Sequence, residues 1–485
     1  MDRLLDRSLD IIIKENTSVP IKLIYQDWYI DGDYRTPLPN GIHPEVVKKV
    51  KMAVHDSGYS EGQVENFCQE FLSNISHMFK FRCHSNFRHY FKKHNEPIEV
   101  EQISDDNAIY LFPIEILTTL DSLHESHTLV IDDVTYDGSF VNLLSPYILE
   151  HLKSGKIKLV INYIHDPISH PEQVDNFEKY INQFGIDGNN IIYISGNYYN
   201  IEHSITRPNS SLKFSFGDLL LQQAAEKMLA YPYPGSLGYI CENVTSKDLT
   251  KDYIRKHKFI CFNRTISNRH QRPVMAYFAL KYNLLKDNIF SFIDNPNSEQ
   301  IASFIREIYD IDEESLKDYS EQISELLPYE IDTHQLNTMH EKTSFSVDNN
   351  RKDLYSESYL YLTTETRFRD GTTPFLSEKT FRPIVNLQPF LYFGNYQSLK
   401  VLQKYGFKTF HPYIDESYDN EPDPKKRLLM LEQELVKFVN RPIQEIHDWY
   451  YSIIDILLYN QKHLATFKNF NPYGNFIKDI QEFYT

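Results

Sequence analysis

The sequence has 485 residues, which is long enough for two ordinary domains and too long for one hydrophobic core. Its formal net charge is −17, and this excess of acidic residues argues against a broad surface for nucleic acid or anionic membranes. Hydrophobic residues make up 41% of the chain, a share typical of folded globular proteins, and no stretch approaches 18 uninterrupted apolar residues.

The cysteines and the first residues indicate the compartment. Cys68, Cys83, Cys241 and Cys261 are widely separated and form no C-x-x-C motif, which favours a reducing compartment without a structural zinc site. The opening run MDRLLDRSLDIIIKEN interrupts its apolar residues with charges, unlike a signal peptide or a membrane anchor. We therefore expect a soluble, cytoplasmic protein.

Strands and helices alternate along the first half of the chain. Strands are predicted, in order, at 21–28, 107–114, 126–132, 157–164 and 190–195. Helices are predicted at 140–156, 172–185 and 217–229. Because parallel strands need long crossover connections, this alternation predicts a mostly parallel sheet.

The alternation resumes after 231–239, a Pro- and Gly-rich segment that is a candidate linker. Further strands are predicted at 258–263, 288–293, 358–365, 388–394 and 407–410. Further helices are predicted at 272–285, 310–327, 377–386 and 397–406, and the chain is almost all helical beyond Pro424.

These patterns together predict an α/β fold with two Rossmann-like domains and a C-terminal helical segment. The predicted boundaries are 1–235 for an N-terminal, acceptor-binding domain, 236–425 for a C-terminal, donor-binding domain, and 426–485 for the helical segment.

The segment KFICFNRTISNRHQRP joins a strand to a helix that begins near Pro273, a natural first helical residue. Its polar and basic residues include Asn263, Arg264, Arg269 and Arg272. In open parallel sheets, ligands bind beyond the carboxyl ends of the strands, and arginines there suit bidentate binding of phosphate. The alternative interpretation is a solvated basic loop that offsets the acidity of the chain.

The segment PFLSEKTFRPIVNLQPFLYFGN carries more charge than a helix start needs. Ser377 suits the N-cap position, whereas Lys379 and Arg382 favour an anion such as a diphosphate. Glu365, at the end of the preceding strand, and Glu378 could accept hydrogen bonds from ribose hydroxyls. The alternative is a capped surface helix with a local salt bridge.

Taken in order, these motifs resemble the donor-binding domain of α-1,3-fucosyltransferase-like glycosyltransferases. The resemblance covers roughly 258–395 and consists of S-N-x-x-x-R, a strand ending in Glu, S-E-K at a helix start, and P-F-L-x-F-G. The matching positions are Ser267, Asn268, Arg272, Glu365, Ser377, Glu378, Lys379, Pro389 and Gly394. Thr366 stands where the family has Asn, and the pair Asn263-Arg264 is additional. The same motifs are similar to uncharacterised viral and bacterial glycosyltransferase-like proteins.

The resemblance implies a GT-B architecture and a hexosyl- or fucosyltransferase type of activity. The enzyme would move a sugar from a GDP- or UDP-sugar to a glycan or other hydroxyl acceptor, with inversion and without a metal or other cofactor. By the same resemblance, Arg272 and Lys379 would hold the diphosphate and Glu365 would contact the nucleotide. Because two cationic helix starts follow matching strand ends, we expect the nucleotide to bind in a cleft between the two domains. A viral member would act in the host cytoplasm.

An inverting transfer needs a base that removes the proton of the acceptor hydroxyl. The candidates follow strands of the first half: Glu115, Asp137 and Asp166, with Asp133 and His165 beside them. Each of them alone also fits a cap or turn role. Asp137 is the preferred base.

No metal site is predicted. The DGD at 31–33 mimics the D-x-D of metal-dependent glycosyltransferases, but the loop IDGDYRTPLPNG explains it by turn chemistry. Two alternatives stay open. One is a phage-type transferase acting on DNA bases, which the net charge of −17 disfavours. The other is a non-catalytic nucleotide- or carbohydrate-binding protein with the same fold.

Overall fold

The structure is a computed structural model, and it forms two compact units. The first comprises Met1–Leu219 together with Asn471–Thr485, and the second comprises Leu220–Phe470. The structure describes residues 21–23, 79–80, 103–104, 108–116, 123, 128–131, 134–137, 140–144, 146–163, 171–196, 210–217, 221, 224–225, 233–234, 240–241, 243–263, 269–292, 294–329, 352–369, 374–469 and 474–484.

The first unit is built on a parallel sheet. Its strands are β1 (Ile21–Leu23), β2 (Phe79–Lys80), β3 (Ile109–Ile116), β4 (Thr128–Ile131), β5 (Val134–Asp137), β6 (Ile157–Tyr163), β7 (Ile191–Ser195) and β8 (Lys213–Phe216). The parallel strands lie in the order β1-β3-β6-β7-β8, and β2 pairs antiparallel with β3. The runs IKLVINY and IIYIS of β6 and β7 are almost wholly buried, as strands covered on both faces must be.

Two helices, α1 (Pro146–Lys153) and α2 (Pro171–Gln183), contribute to the core of this unit. Ile148 on α1 and Phe177 on α2 belong to one buried apolar cluster with Leu159 and Ile161 of β6. The apolar stripes of these helices therefore bury one face of the parallel sheet.

One predicted strand of this half is placed wrongly by the sequence. Residues 126–132 were expected to join the parallel sheet, but β4 pairs antiparallel with β5 in a separate two-stranded sheet. The connection between them spans only 132–133, a length typical of a hairpin. Asp137 therefore ends a hairpin strand, where it pairs with Thr128.

The second unit is built on a parallel sheet of four strands. The strands of the unit are β9 (Tyr233–Pro234), β10 (Ile240–Cys241), β11 (His257–Asn263), β12 (Ile289–Phe292), β13 (Ser358–Thr364) and β14 (Phe390–Phe393). The sheet order is β12-β11-β13-β14, all parallel, and β9 and β10 form an antiparallel pair. The predicted α/β class with two mostly parallel sheets is confirmed.

The helices of the second unit are α3 (Gln271–Lys281), α4 (Ser298–Ile308), α5 (Glu313–Leu326), α6 (Lys352–Ser356), α7 (Glu378–Val385), α8 (Ser398–Lys404), α9 (Pro424–Val439), α10 (Ile443–Ser452) and α11 (Ile454–Thr466). Several of these helices begin after a capping residue. Asn297, Asp312 and Ser377 accept hydrogen bonds from backbone N–H groups of the first turns of α4, α5 and α7. Helices α4 and α6 and strands β2, β5, β8, β9 and β10 were not predicted.

The predicted strand at 407–410 is wrong, because these residues form no strand. The side chain of Asn460 on α11 takes the place of a neighbouring strand. Its Oδ1 accepts from the Lys408 N–H at 2.8 Å, and its Nδ2 donates to the Lys408 carbonyl at 2.7 Å. Phe407 and Phe410 are still buried in the core of the unit.

The chain returns to the first unit at its end. Helix α12 (Gly474–Tyr484) belongs to that unit, and Asp479 accepts a hydrogen bond of 2.7 Å from the Ser215 hydroxyl of β8. The helices between residue 424 and Phe470 belong to the second unit. This division differs from the sequence-based boundaries at 235 and 425. Among the described residues, no helix is both long and apolar enough to span a bilayer.

Candidate nucleotide-binding site

The two segments with charged helix starts meet at the carboxyl end of β13. Asn263, the last residue of β11, accepts a hydrogen bond of 2.6 Å from the hydroxyl of Thr364. From the first turn of α3, Gln271 donates to the Glu365 carbonyl and Arg272 donates to the Thr364 carbonyl at 3.2 Å. The sheet thus brings together residues that are about a hundred positions apart in sequence, as expected for a switch from strand to helix in a parallel sheet.

Glu365 is completely buried and fixes the start of α7. Its carboxylate accepts hydrogen bonds from the N–H and hydroxyl of Ser377, at 3.0 and 2.7–2.9 Å. It also accepts from the Thr380 hydroxyl at 2.8 Å and from the Thr366 N–H at 3.0 Å. Because a carboxylate offers about four acceptor positions, the protein itself fills those of Glu365. Its role in this geometry is to hold the helix start.

Lys379 lies in the first turn of α7 with its ammonium group partly exposed. Its Nζ is 2.5 Å from a carboxylate oxygen of Glu378, 3.3 Å from the Thr366 hydroxyl and 3.4 Å from the Ser377 hydroxyl. Burial raises the pKa of Glu378, but the positive charges of Lys379 and Arg382 outweigh it, so that the pKa lies below its ordinary value. Glu378 is therefore ionised at neutral pH.

Arg272 places a buried positive charge near Glu378. Its side chain is 4% exposed, and burial together with the neighbouring Arg269 lowers its pKa to about 10. The charges of Glu365 and Glu378 act in the opposite sense, so Arg272 stays protonated at neutral pH. Four cations of the site, Arg269, Arg272, Lys379 and Arg382, thus interact electrostatically with one another or with two carboxylates, Glu365 and Glu378. This excess of positive charge suits an anionic ligand.

Cys261 lies behind the site and offers no nucleophile. It is fully buried, and this burial raises the pKa of its thiol to about 12. Its sulfur accepts a hydrogen bond of 3.2 Å from Nδ2 of Asn263. Since nucleophilic cysteines react as thiolates, Cys261 has a structural role here.

A cluster of three polar side chains, His270, Glu307 and Arg369, borders the site. Nε2 of His270 is 3.0 Å from a carboxylate oxygen of Glu307 on α4, and Arg369 donates to the same oxygen. The ring of His270 also stands edge-on to Phe304, with centroids 5.3 Å apart. The cluster connects the segment before α3, helix α4 and the segment after β13.

The remaining predicted residues are distributed as follows. Arg264, Ser267, Asn268, Asp133, His165, Asp166 and the DGD at 31–33 lie outside the described residues. Glu115 lies in β3 of the first unit, directly beside Asn162 of β6, and Asp137 ends β5. Among the described residues, no group of three His, Cys, Asp or Glu residues could hold a metal ion.

Sequence reasoning missed Gln271 and Thr380, and it noted Thr366 only as a departure from the family pattern. The three lie within the motifs that carry the resemblance, but a single sequence gives no reason to prefer an uncharged side chain there. Gln271 and Thr380 donate to the carbonyl and the carboxylate of Glu365, which lies 94 and 15 positions away, and the Thr366 hydroxyl accepts from Nζ of Lys379, 13 positions away.

No family model matches the sequence, and no curated protein matches it. Solved structures with detectable similarity include two UDP-forming α,α-trehalose-phosphate synthases. The one from Burkholderia vietnamiensis is 12% identical with a TM-score of 0.31, over 67% of this chain and 68% of that one. The one from Burkholderia xenovorans is 12% identical with a TM-score of 0.33, over 80% and 76%.

Proposed function

We propose that this protein is a glycosyltransferase that moves a sugar from a GDP- or UDP-sugar to a glycan or other hydroxyl acceptor. The observation that carries the proposal is the convergence of Arg272 and Lys379. They come from two different helix starts, α3 and α7, and both lie at the carboxyl end of β13. Such a pair of cations suits the two phosphates of a nucleotide sugar.

The proposed reaction is a single displacement with inversion. The acceptor oxygen forms a bond to the anomeric carbon as its proton passes to a base, for which Glu115, Asp137 and Asp166 are the candidates. The bond between the anomeric carbon and the phosphate oxygen breaks, and the nucleoside diphosphate leaves with that electron pair. Lys379 and Arg272 stabilise the negative charge that develops on it, so no metal is needed for that role.

Thermal-shift measurements test the donor assignment. A ligand that binds the native state raises the melting temperature, and we expect GDP or UDP at millimolar concentration to do so, with CMP as a comparison. Lys379→Ala should reduce the shift. Lys258→Ala is the matched control. Lys258 lies near the start of β11, the end of the strand opposite to the site, and its ammonium group donates to the carbonyls of Val439 and Arg441. If neither GDP nor UDP raises the melting temperature of the wild type, the assignment of the donor site is wrong.

The three candidate bases can be separated by turnover once a donor is known. Asp137→Asn should lower the transfer rate by about 10²–10⁴, the usual contribution of a general base, and leave donor affinity intact. Glu115→Gln and Asp166→Asn are the parallel variants. Nucleotide binding without turnover in the wild type would instead favour the non-catalytic binding protein.

A further inference from the structure

The most deeply buried arginine of the second unit is Arg427, in the first turn of α9. Its side chain is 1% exposed and is the largest fully buried side chain in the described part of the protein. Burial lowers the pKa of its guanidinium to about 10, against the opposing charge of Asp419 and other carboxylates, so it remains charged at neutral pH. A charge held this deep in a protein needs a full set of hydrogen-bond acceptors.

Arg427 meets that need with four backbone carbonyls. Its Nη1 donates to Glu421 at 2.7 Å and to Pro422 at 3.3 Å, both in the segment just before α9. Its Nε donates to Gly394 at 3.2 Å, and its Nη2 donates to Phe368. The guanidinium also lies over the ring of Phe368, 4.6 Å from its centroid.

Two of these carbonyls belong to the edge of the sheet that carries the candidate site. Phe368 is in the segment that follows β13, and Gly394 directly follows β14. That segment begins with Glu365 and Thr366, whose contacts hold the start of α7 and the ammonium group of Lys379. Arg427 therefore fixes the far end of the segment whose near end holds Lys379.

We propose that Arg427 is a positioning residue of the nucleotide site, acting through the segment 365–369 without touching the ligand. This inference rests on the proposed function for its effect on nucleotide binding. Lysine cannot replace arginine fully at such a position, because an ammonium group lacks the rigid fork that reaches several carbonyls at once. The expected order of nucleotide affinity is therefore wild type, then Arg427→Lys, then Arg427→Met.

Arg255 provides a matched control in the same unit. It is also buried, at 5% exposure, and donates to the Ser358 carbonyl at 2.6 Å and to the Tyr450 hydroxyl at 2.8 Å. Its guanidinium lies over the Tyr450 ring, 4.1 Å from the centroid. Ser358 begins β13, so Arg255 serves the amino end of the strand whose carboxyl end carries the site. Arg255→Met should destabilise the unit without disturbing the segment 365–369.

The experiment measures the dissociation constants of GDP and UDP by titration calorimetry, at a temperature where every variant is folded. We expect Arg427→Met to weaken binding at least tenfold, Arg427→Lys to give an intermediate value, and Arg255→Met to stay within twofold of the wild type. If Arg427→Met and Arg255→Met weaken nucleotide binding equally, Arg427 only stabilises the fold in general, and the proposal is overturned. Wild-type affinity in Arg427→Met would do the same.

A second measurement keeps the inference separate from the proposed function. Amide hydrogen exchange without ligand should become faster in peptides covering 365–369 and 377–382 in Arg427→Met, but not in Arg255→Met. If the wild type binds neither nucleotide, the proposed function fails, and the role of Arg427 in nucleotide binding fails with it. Unchanged exchange in these peptides would show that Arg427 does not hold the segment at all.

Discussion

Two buried asparagines at the carboxyl ends of central parallel strands have opposite surroundings. Asn263 ends β11 in the second unit, and both its amide oxygen and its amide nitrogen are hydrogen-bonded, to Thr364 and Cys261. Asn162 is the last residue but one of β6 in the first unit and is 1% exposed. Neither of its amide atoms has a hydrogen-bond partner among the described residues.

This contrast indicates that the carboxyl-end edges of the two parallel sheets differ in how their asparagine amides are hydrogen-bonded. In the second unit, groups of the protein itself satisfy the Asn263 amide and the Glu365 carboxylate, and so hold the start of α7 with Lys379 in place before a ligand arrives. In the first unit, an unpaired buried amide costs about 1–3 kcal/mol. That state is expected of a group whose partner is an ordered water or a bound molecule. Asn162 is the register neighbour of Glu115, one of the three candidate bases.

The largest expected effect tests whether Glu365 stabilises the carboxyl-end edge of the parallel sheet in the second unit. Glu365→Leu should lower the free energy of unfolding of the second unit by about 3 kcal/mol or more, because each buried donor left without an acceptor costs about 1–3 kcal/mol. Thr380→Val removes one of those hydrogen bonds and should lower it by only about 1 kcal/mol. Urea denaturation measures both. Similar, small losses in the two variants would mean that the edge is not organised around this carboxylate.

The next effect concerns the charges that the edge presents. Lys379→Ala should lower kcat by about 10², the scale of losing one preorganised donor to a developing charge, with a smaller rise in the KM of the nucleotide sugar. Glu378→Gln should mainly raise KM, as the loss of an interaction made equally in the ground and transition states does. Steady-state kinetics of the two folded variants separate these roles. Equal changes in kcat would contradict the assignment.

Substitution of the two asparagines by leucine should change the free energy of unfolding in opposite directions. Asn162→Leu removes an amide that has no hydrogen-bond partner among the described residues and should raise the free energy of unfolding by about 1–2 kcal/mol, whereas Asn263→Leu leaves the Thr364 hydroxyl without its acceptor and should lower it by a similar amount. Asn162→Val is the smaller replacement in case leucine overpacks the site. Denaturation curves measure the direction of each change. A loss of stability in both Asn162 variants would contradict the proposed difference between the two asparagines.

The smallest expected effect is the response of turnover to a chelator. If the cations of the second unit neutralise the leaving group, EDTA should leave the transfer rate unchanged. A loss of turnover that manganese restores would contradict this expectation. It would also give the DGD at 31–33, in the first unit, a role in catalysis.

Local signals explain how much of the fold was predictable. The apolar runs of β6, β11, β13 and β14 and the capped start of α7 are properties of short segments, and the structure confirms them. The hairpin of β4 and β5 was missed because an apolar run does not reveal its pairing partner. The strand expected at 407–410 failed because the side chain of Asn460, 52 positions away from Lys408, satisfies its backbone.

The arrangement of the candidate site was predictable to a similar depth. The motifs singled out Arg272, Lys379 and Glu365, but the hydrogen bonds from Ser377 and Thr380 to the Glu365 carboxylate join residues 12 and 15 positions apart and are seen only in the folded chain. Arg427 reads in the sequence PKKRLLML as one more basic residue at a helix start. Its carbonyl partners on Gly394 and Phe368 are 33 and 59 positions away, so only the folded chain shows what it does.

The return of α12 to the first unit sets an order for folding during synthesis. All of the second unit, Leu220–Phe470, leaves the ribosome before 471–485, so it can fold while the first unit still lacks its last helix. Until then, the Ser215 hydroxyl of β8 has no Asp479, and the buried positions of Phe476 and Ile480 are empty. The part of the chain translated first is therefore the part completed last, and β8 lacks its contacts with α12 for the whole time that the second unit is being made.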